Sequence, residues 1–179
     1  MWRLRVSLHL LNSASKDTAA SHLRKCCSSE EWITRMLAQR PFCNSDAVHA
    51  AADSAWIDLR EQDYLEAFSG HPKIGDIQSL QKKYPDSAHL ARSEQSGVEF
   101  ASPEILQKLS AANHAYEEKF GFIFIVCATG KSASEMLAIL QDRLDRERAA
   151  ELKTACEQQR QIFHLRLDSF LCQKSAPTS

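Results

Sequence analysis

The sequence predicts an all-α protein built as a single compact helical domain, and three observations indicate it. Only five glycines and five prolines occur in 179 residues, so the chain offers few of the turns that a sheet-rich fold needs. Apolar residues recur at three- and four-residue steps, which is the spacing of an amphipathic helix. Ser28 and Ser132 are each followed three positions later by glutamate, a pattern typical of helix starts.

Composition limits the classes of function. A chain of 179 residues is long enough for one domain with a sizeable core. Its formal net charge of -1 argues against binding nucleic acid or anionic membranes through bulk electrostatics. No apolar run approaches the roughly 20 residues that span a bilayer. The six cysteines are scattered with no C-x-x-C pair, so we expect reduced thiols in an intracellular compartment and no zinc site.

Residues 1–20 are expected to form a targeting leader or a flexible segment. Arg3 and Arg5 occur among several leucines, and no acidic residue occurs among the first 16, a composition typical of an organelle-targeting leader. Arg3-Leu4 and His9-Leu10 resemble the N-terminal peroxisomal address, but four residues separate the two pairs where that address has five. An unstructured or merely amphipathic start fits the composition equally well.

The helical domain is expected to cover residues 21–173, ahead of a flexible tail at 174–179. Within it, each expected helix combines a start signal or a preceding turn with apolar residues at helical spacing. A turn is expected within residues 76–91. The expected helices run from a Ser28–Glu31 capping box through Leu37, over Ser45 to Ile57, from about Arg60 to Phe68, from Ser102-Pro103-Glu104 through Tyr116, from a Ser132–Glu135 capping box through Leu144, and from about Arg148 to Leu171.

The stretch FGFIFIVCA, from Phe120 to Ala128, interrupts the helices with nine uncharged residues. Its β-propensity favours a buried strand, yet a lone strand without pairing partners would be anomalous in a helical chain. We expect a buried central segment, extended or partly helical, whose backbone lines a pocket. Gly130-Lys131-Ser132 resembles the end of a phosphate-binding loop. Ile125 stands where that loop requires glycine, so nucleotide binding is not predicted.

Two side chains are candidates for chemistry. His71 follows an apolar helical run and precedes Pro72, so its imidazole projects from a helix end. An imidazole titrates near pH 6.5 and suits proton transfer, although a histidine at a helix C-terminus can also serve the helix dipole alone. Arg166 lies on or near the apolar stripe of the last helix. It is either a clamp for an anionic substrate or a structural cation that snorkels or pairs with an acidic residue.

Several motifs occur together in one order over residues 28–171. They are Ser69-Gly70-His71-Pro72-Lys73-Ile74-Gly75, Ser93-Glu94-Gln95-Ser96-Gly97, Asn113-His114-Ala115-Tyr116, Phe120-Gly121-Phe122-Ile123-Phe124, Gly130-Lys131-Ser132, Glu135-Met136-Leu137, Arg143 and Leu165-Arg166-Leu167. In combination they resemble the 2-oxo-4-hydroxy-4-carboxy-5-ureidoimidazoline (OHCU) decarboxylases, enzymes of urate and purine breakdown. They look most like the decarboxylase half of the plant transthyretin-like fusion proteins.

The resemblance implies a cofactor-free, metal-free, all-α enzyme, commonly a homodimer, whose substrate is a small ureide. It would convert OHCU to (S)-allantoin and CO2, with a functional link to hydroxyisourate hydrolase. A peroxisomal location is expected first, with the cytosol or another organelle as alternatives. A catalytically silent helical domain, acting as a protein-interaction or ureide-binding module, is the competing interpretation.

The resemblance also implies roles for individual residues. His71 takes the position of the catalytic acid/base, Pro72 flanks the substrate, and Arg166 binds it as a cation. The substrate would further meet a pair of hydrogen-bonding side chains and a backbone segment, namely Glu94 and Gln95, with Phe124, Ile125, Val126, Cys127 and Ala128.

One position departs from the family pattern. Many relatives carry serine three residues before the glutamate, where this chain has Ala91, and Ser93 lies directly beside Glu94 instead. Either Ser93 substitutes for the missing hydroxyl or one substrate hydrogen bond is lost, at a cost of about 0.5–1.5 kcal/mol. Ala91 is the sequence feature that favours the silent module.

Overall fold

The computed structural model describes residues 4–74 and 102–172, and in these residues the secondary structure is helical with no strand. The predicted helical class is confirmed. The turn expected within 76–91 lies outside the described residues. The eight described helices are α1 (Leu4–Ser13), α2 (Lys16–Cys26), α3 (Glu30–Ala38), α4 (Ser45–Trp56), α5 (Glu61–Ser69), α6 (Pro103–Phe120), α7 (Ala133–Leu144) and α8 (Arg148–Cys172).

The chain divides into two compact units. The first comprises residues up to 67 together with those from 160 onward, and so contains α1 to α4, most of α5 and the C-terminal half of α8. The second comprises residues 68–159, with α6, α7 and the N-terminal half of α8. The predicted domain limits of 21 and 173 remain predictions.

The core of the first unit forms around two tryptophans and a phenylalanine. The Trp32 indole N–H donates to the carbonyl of Ala52 at 3.0 Å, which satisfies its polar group inside the core. The ring of Phe163 lies 5.4 Å from that of Trp32 and 5.5 Å from that of Trp56, measured between centroids. As the helical spacing predicts, α4 buries one face, consisting of Val48, Ala51, Ala52, Ala55 and Trp56.

The start of α3 differs from the prediction by one residue. Ser29 is the N-cap, and its Oγ accepts the Trp32 N–H at 3.4 Å. The predicted cap, Ser28, instead directs its hydroxyl at two carbonyls near the end of α5, those of Glu66 and Ala67, each at 3.2 Å. The prediction of Ser28 as the cap was wrong because this hydroxyl is engaged by carbonyls almost forty residues away.

The capping box at the start of α7 is confirmed. Ser132 Oγ accepts the Glu135 N–H at 3.3 Å, and Glu135 Oε2 accepts the Ser132 N–H at 2.8 Å. Each side chain therefore satisfies a backbone donor that the first turn of a helix leaves open.

The end of α1 is held by residues that follow α3. Asn12 Nδ2 donates to the carbonyl of Phe42 at 2.8 Å, and Asn12 Oδ1 accepts the Phe42 N–H at 2.9 Å. Arg40 Nη2 donates to the carbonyls of Asn12 and Ala14, each at 2.6 Å. The bonds from Arg40 satisfy carbonyls at the C-terminal end of α1, where no further helical turn can do so.

No described helix has the length and apolar character needed to cross a bilayer.

Candidate active site

His71 lies two residues beyond α5, in the second unit. Its backbone N–H donates to the carbonyl of Phe68 at 3.0 Å, which closes the last turn of the helix. The His71 side chain and the following Pro72 are both half-buried, whereas Ile74 is buried. The imidazole therefore belongs to a partly sheltered turn, as the His-Pro pair predicted.

The turn that carries His71 is fixed to α6 at two points. Asn113 Nδ2 donates to the carbonyl of Ile74 at 3.2 Å and to that of Leu109, in its own helix, at 2.9 Å. Lys73 forms an ion pair with Glu117, one turn further along α6. Asn113 and Lys73 thus anchor the residues directly after His71 to α6.

The central segment after α6 begins beside this turn. Gly121 ends the helix at φ 78°, in the left-handed region that glycine adopts without a side-chain penalty. The ring of Phe122 then lies 5.5 Å from that of Phe68, the residue whose carbonyl binds the His71 N–H. Residues 124–128 are all buried and belong to no helix. The predicted burial is confirmed for Phe120, Phe122 and residues 124–128, whereas Gly121 is exposed and Ile123 is half-buried.

Side chains from outside the central segment satisfy its backbone. Arg143 Nη1 donates to the carbonyl of Ile125 at 2.8 Å. The Cys127 N–H donates to Gln158 Oε1 at 2.9 Å, and Lys131 Nζ donates to the Cys127 carbonyl at 2.8 Å. These bonds explain how an apolar stretch of high β-propensity remains satisfied without a strand partner in the described residues.

A buried polar network contacts this segment through Arg143. Arg143 Nε donates to Glu151 Oε1 at 2.6 Å, and the hydroxyl of Tyr116 donates to the same oxygen. The guanidinium carbon of Arg143 lies 4.7 Å from the ring centroid of Phe124. Burial, and then the hydrogen bond to Glu151, raise the pKa of Tyr116, so its hydroxyl remains a donor. Arg143 and Glu151 therefore tie α7 to α8.

Arg166 lies on the part of α8 that belongs to the first unit. Its side chain is half-buried, and Nη1 donates to the carbonyl of Cys26 at 3.5 Å, at the end of α2. A cation at a helix C-terminus is favourable because the unsatisfied carbonyls there carry partial negative charge.

The four predicted substrate-binding positions before α6 lie outside the described residues, namely Ala91, Ser93, Glu94 and Gln95.

Two surface clefts in the first unit contain none of the predicted site residues. One has a volume of about 400 Å³ and is lined mostly by acidic and polar side chains between α3 and α5. The other, of about 350 Å³, is an apolar groove beside Phe42.

In residues 4–74 and 102–172, no group of three or more His, Cys, Asp or Glu side chains is arranged to hold a metal ion.

The sequence interpretation missed two features of α8. His164 meets His49 of α4, although neither histidine has metal-ligand spacing. Arg160 and His164 have the i, i+4 placement of paired residues on one helix, but this spacing does not indicate the contact with His49. Gln159 is fully buried, and neither its Oε1 nor its Nε2 has a hydrogen-bond partner among the described residues.

Comparison with known proteins decides the family. Residues 12–168 match the sequence profile of the family described as OHCU decarboxylase. The chain belongs to the OHCU decarboxylase family. It is 38% identical over 152 residues to the uric acid degradation bifunctional protein TTL of Arabidopsis thaliana, an alignment that covers 84% of this chain and 46% of that protein. The chain therefore spans less than half of the Arabidopsis relative.

Other members of the OHCU decarboxylase family are similar over more of their length. The enzyme named 2-oxo-4-hydroxy-4-carboxy-5-ureidoimidazoline decarboxylase from Halalkalicoccus jeotgali is 25% identical over 165 residues, covering 92% of this chain and 91% of that one. A crystal structure of OHCU decarboxylase in the presence of (S)-allantoin superposes with a TM-score of 0.71 at 32% identity. It covers 84% of this chain and 96% of the crystallised chain.

Proposed function

We propose that this chain is a carboxy-lyase that converts OHCU to (S)-allantoin and CO2 in urate degradation. The observation that carries the proposal is the likeness to the OHCU decarboxylase crystallised in the presence of (S)-allantoin, which extends over 84% of the chain. The match to the family over residues 12–168 supports the same substrate class.

The chemistry requires a positioned substrate and one directed proton. When CO2 leaves, the electrons of the broken carbon–carbon bond remain on the substrate, where the conjugated C=N and carbonyl groups of its ring accept them. A proton must then reach one face of the ring to set the configuration of the product. The imidazole of His71 suits this step because an imidazole exchanges protons near neutral pH.

The setting of His71 supports an acid/base role. The imidazole is half-buried, and the residues after it are anchored to α6 through Asn113 and Lys73. A fixed turn maintains the orientation of a proton donor between turnovers, which is what directed proton delivery requires. His71 is therefore the residue that we assign to proton transfer.

The central segment offers backbone groups for contact with the ureide. Ile125 and Cys127 use backbone groups for the bonds to Arg143, Gln158 and Lys131. This period of two matches an extended chain, in which the backbone groups of intervening residues point the opposite way. We assign substrate hydrogen bonding within 124–128 to the backbone of Phe124, Val126 and Ala128.

The remaining substrate contacts rest on the family resemblance. Arg166 binds the substrate as a cation, and Pro72 flanks it. Glu94 and Gln95 donate or accept hydrogen bonds, and Ser93 provides the hydroxyl that Ala91 lacks.

Circular dichroism of freshly prepared OHCU tests the proposal, because only directed protonation gives one enantiomer of allantoin. The wild-type chain is expected to accelerate OHCU loss and to yield the (S) product. His71→Asn should lower kcat by about 10²–10⁴-fold, the usual contribution of acid/base catalysis. The control is His114→Asn, because the side chain of His114 is 74% exposed and pairs with Glu118.

The competing function, a silent interaction or ureide-binding module, makes a different prediction. Wild-type protein would leave OHCU decay and product chirality unchanged, and allantoin titration would show binding without turnover. His71→Asn with wild-type kcat would refute the proposed acid/base role even if the chain decarboxylates OHCU.

We also propose that the chain acts as an intracellular homodimer, with the peroxisome as the preferred compartment. Its activity would be functionally linked to that of hydroxyisourate hydrolase. The first 16 residues, which contain arginine and leucine but no acidic residue, support an organelle, although the Arg3-Leu4 and His9-Leu10 pairs miss the peroxisomal spacing by one residue. The bifunctional name of the Arabidopsis relative supports the link to a second activity. Sedimentation and imaging of the full chain would test the two assignments separately.

A further inference from the structure

Two histidines from distant parts of the chain form a hydrogen-bonded pair within the first unit. His49 Nδ1 and His164 Nδ1 lie 2.7 Å apart, and the rings stack with their centroids 4.9 Å apart. His49 belongs to α4 and His164 to the C-terminal half of α8. Both side chains are largely sheltered, with exposed fractions of 23% and 21%.

Each ring directs its second nitrogen at a carboxylate. His49 Nε2 lies 2.9 Å from Asp168 Oδ1, and His164 Nε2 lies 2.7 Å from Asp53 Oδ1. Arg160 Nη1 donates to the same oxygen of Asp53 at 2.9 Å and lies 3.3 Å from His164 Nε2. Within the described residues, Asp53, Arg160 and Asp168 are the charged groups in contact with the histidine pair.

Counting protons shows what this arrangement requires. An ionised carboxylate only accepts, so each Nε2 must carry a hydrogen to bond it. Burial alone would raise the pKa of Asp53, but hydrogen bonds from Arg160 and His164 outweigh it and lower that pKa, so Asp53 stays ionised near neutral pH. Between the two Nδ1 atoms there is room for one hydrogen. Three hydrogens on four ring nitrogens leave the pair with one positive charge.

We propose that His49 and His164 share a single proton and form a pH-dependent clasp between α4 and the C-terminal half of α8. A second proton would place two N–H groups against each other at 2.7 Å and open the contact between the rings. Loss of the shared proton would leave two lone pairs facing each other, either between the two Nδ1 atoms or between one Nε2 atom and its carboxylate oxygen. The clasp is complete only in the singly protonated state.

The direction of the pH effect follows from proton counts. Two independent imidazoles in the unfolded chain titrate near pH 6.5. Well below that pH the two imidazoles of the unfolded chain bind two protons where the clasp holds one, so the folded state becomes less stable as pH falls. Well above that pH they bind none where the clasp holds one, so the folded state becomes less stable as pH rises. Each side can shift the folding equilibrium by up to tenfold per pH unit, because one proton separates the two states.

Nitrogen-detected NMR of the histidine side chains tests the shared proton in the wild-type chain. Near pH 7 we expect both Nε2 atoms to be protonated and one hydrogen to be shared between the Nδ1 atoms. That hydrogen should couple to both Nδ1 nuclei. Two neutral rings at pH 7, or a separate hydrogen on each Nδ1 atom, would overturn the proposal.

A second experiment follows thermal unfolding from pH 5 to 9. His49→Gln should flatten the pH dependence of Tm on both sides of its maximum, because one imidazole can no longer share a proton. His114→Gln is the matched control, since His114 also contacts a carboxylate, Glu118 at 3.4 Å, but its side chain is 74% exposed. An unchanged pH profile in His49→Gln would contradict the clasp. If that variant fails to fold, the wild-type NMR spectrum decides the question.

Discussion

Arg143 and Glu151 form a buried ion pair between two consecutive helices, with Nε and Oε1 at 2.6 Å. The same guanidinium donates to the carbonyl of Ile125 at 2.8 Å. One cation therefore holds α7, α8 and the central segment together. Removing one member of such a pair leaves the other charge buried without compensation, which is costlier than the net contribution of the pair.

Glu151→Gln should therefore lower the free energy of unfolding by about 3–5 kcal/mol, as loss of one buried partner usually does. Urea denaturation measures the change. The control is Asp142→Asn, which removes an exposed pair with Arg146 and should cost less than about 1 kcal/mol. Equal effects of the two variants would contradict the buried role of Glu151.

Replacing the neighbouring residues Gln158 and Gln159 with leucine should change the stability of the fold in opposite directions. Gln159→Leu removes a buried amide that has no hydrogen-bond partner among the described residues, so stability should rise by about 1–3 kcal/mol. Gln158→Leu leaves the Cys127 N–H without its acceptor and should destabilise by a similar amount. Thermal unfolding of both variants checks the pair, and destabilisation by Gln159→Leu would show that its amide is satisfied.

Cys27 should make the fold sensitive to alkali. Burial raises the pKa of its thiol to about 12, and the nearby Arg166 charge only partly opposes this. Because the folded-state pKa is raised, the contribution to stability is complete below the ordinary value of 9.0 and is lost as pH rises towards 12. The loss can reach about 1.4 kcal/mol per pH unit.

Replacing this thiol should remove that sensitivity. In Cys27→Ala, urea midpoints measured between pH 8 and 10 should fall less steeply than in the wild type. Cys43→Ala, at an exposed thiol, should keep the wild-type slope. A wild-type slope in Cys27→Ala would mean that another group ionises over this range.

Asn12 should be important for the stability of the first unit. Asn12→Ala removes both hydrogen bonds to the backbone of Phe42 and is expected to cost about 1–3 kcal/mol, since buried groups lose their partners. Ser13→Ala, which removes an exposed bond to the His9 carbonyl, should cost much less. Denaturant unfolding monitored by circular dichroism distinguishes the two, and equal costs would contradict the anchoring of α1 by Asn12.

Local patterns were sufficient for most of the fold. The Ser132 capping box and the buried face of α4 follow from spacing within one helix, where geometry is set by the helical repeat. The cap of α3 could not be predicted in this way, because a distant carbonyl pair competes for the Ser28 hydroxyl. His49 and His164 are 115 residues apart, and no local rule brings them together.

The candidate site was predictable only in part for the same reason. Helix-end signals placed His71 on its turn, and the uncharged stretch indicated burial of residues 124–128. The roles of Glu94 and Gln95 came from resemblance to a family, since isolated polar residues carry no local signature of substrate binding. Arg166 was a candidate because it lies on or near an apolar stripe, but that position alone does not separate a substrate clamp from a structural cation. Those roles remain predictions.

The way the central segment is held has a consequence for how the protein fails. FGFIFIVCA combines high β-propensity with no charge and no proline, which is the composition of aggregation-prone segments. In the native chain its backbone is bonded to the side chains of Arg143, Gln158 and Lys131, and partial unfolding releases it from all three. Released copies can pair with one another, so heat inactivation would be irreversible and governed by the rate of opening.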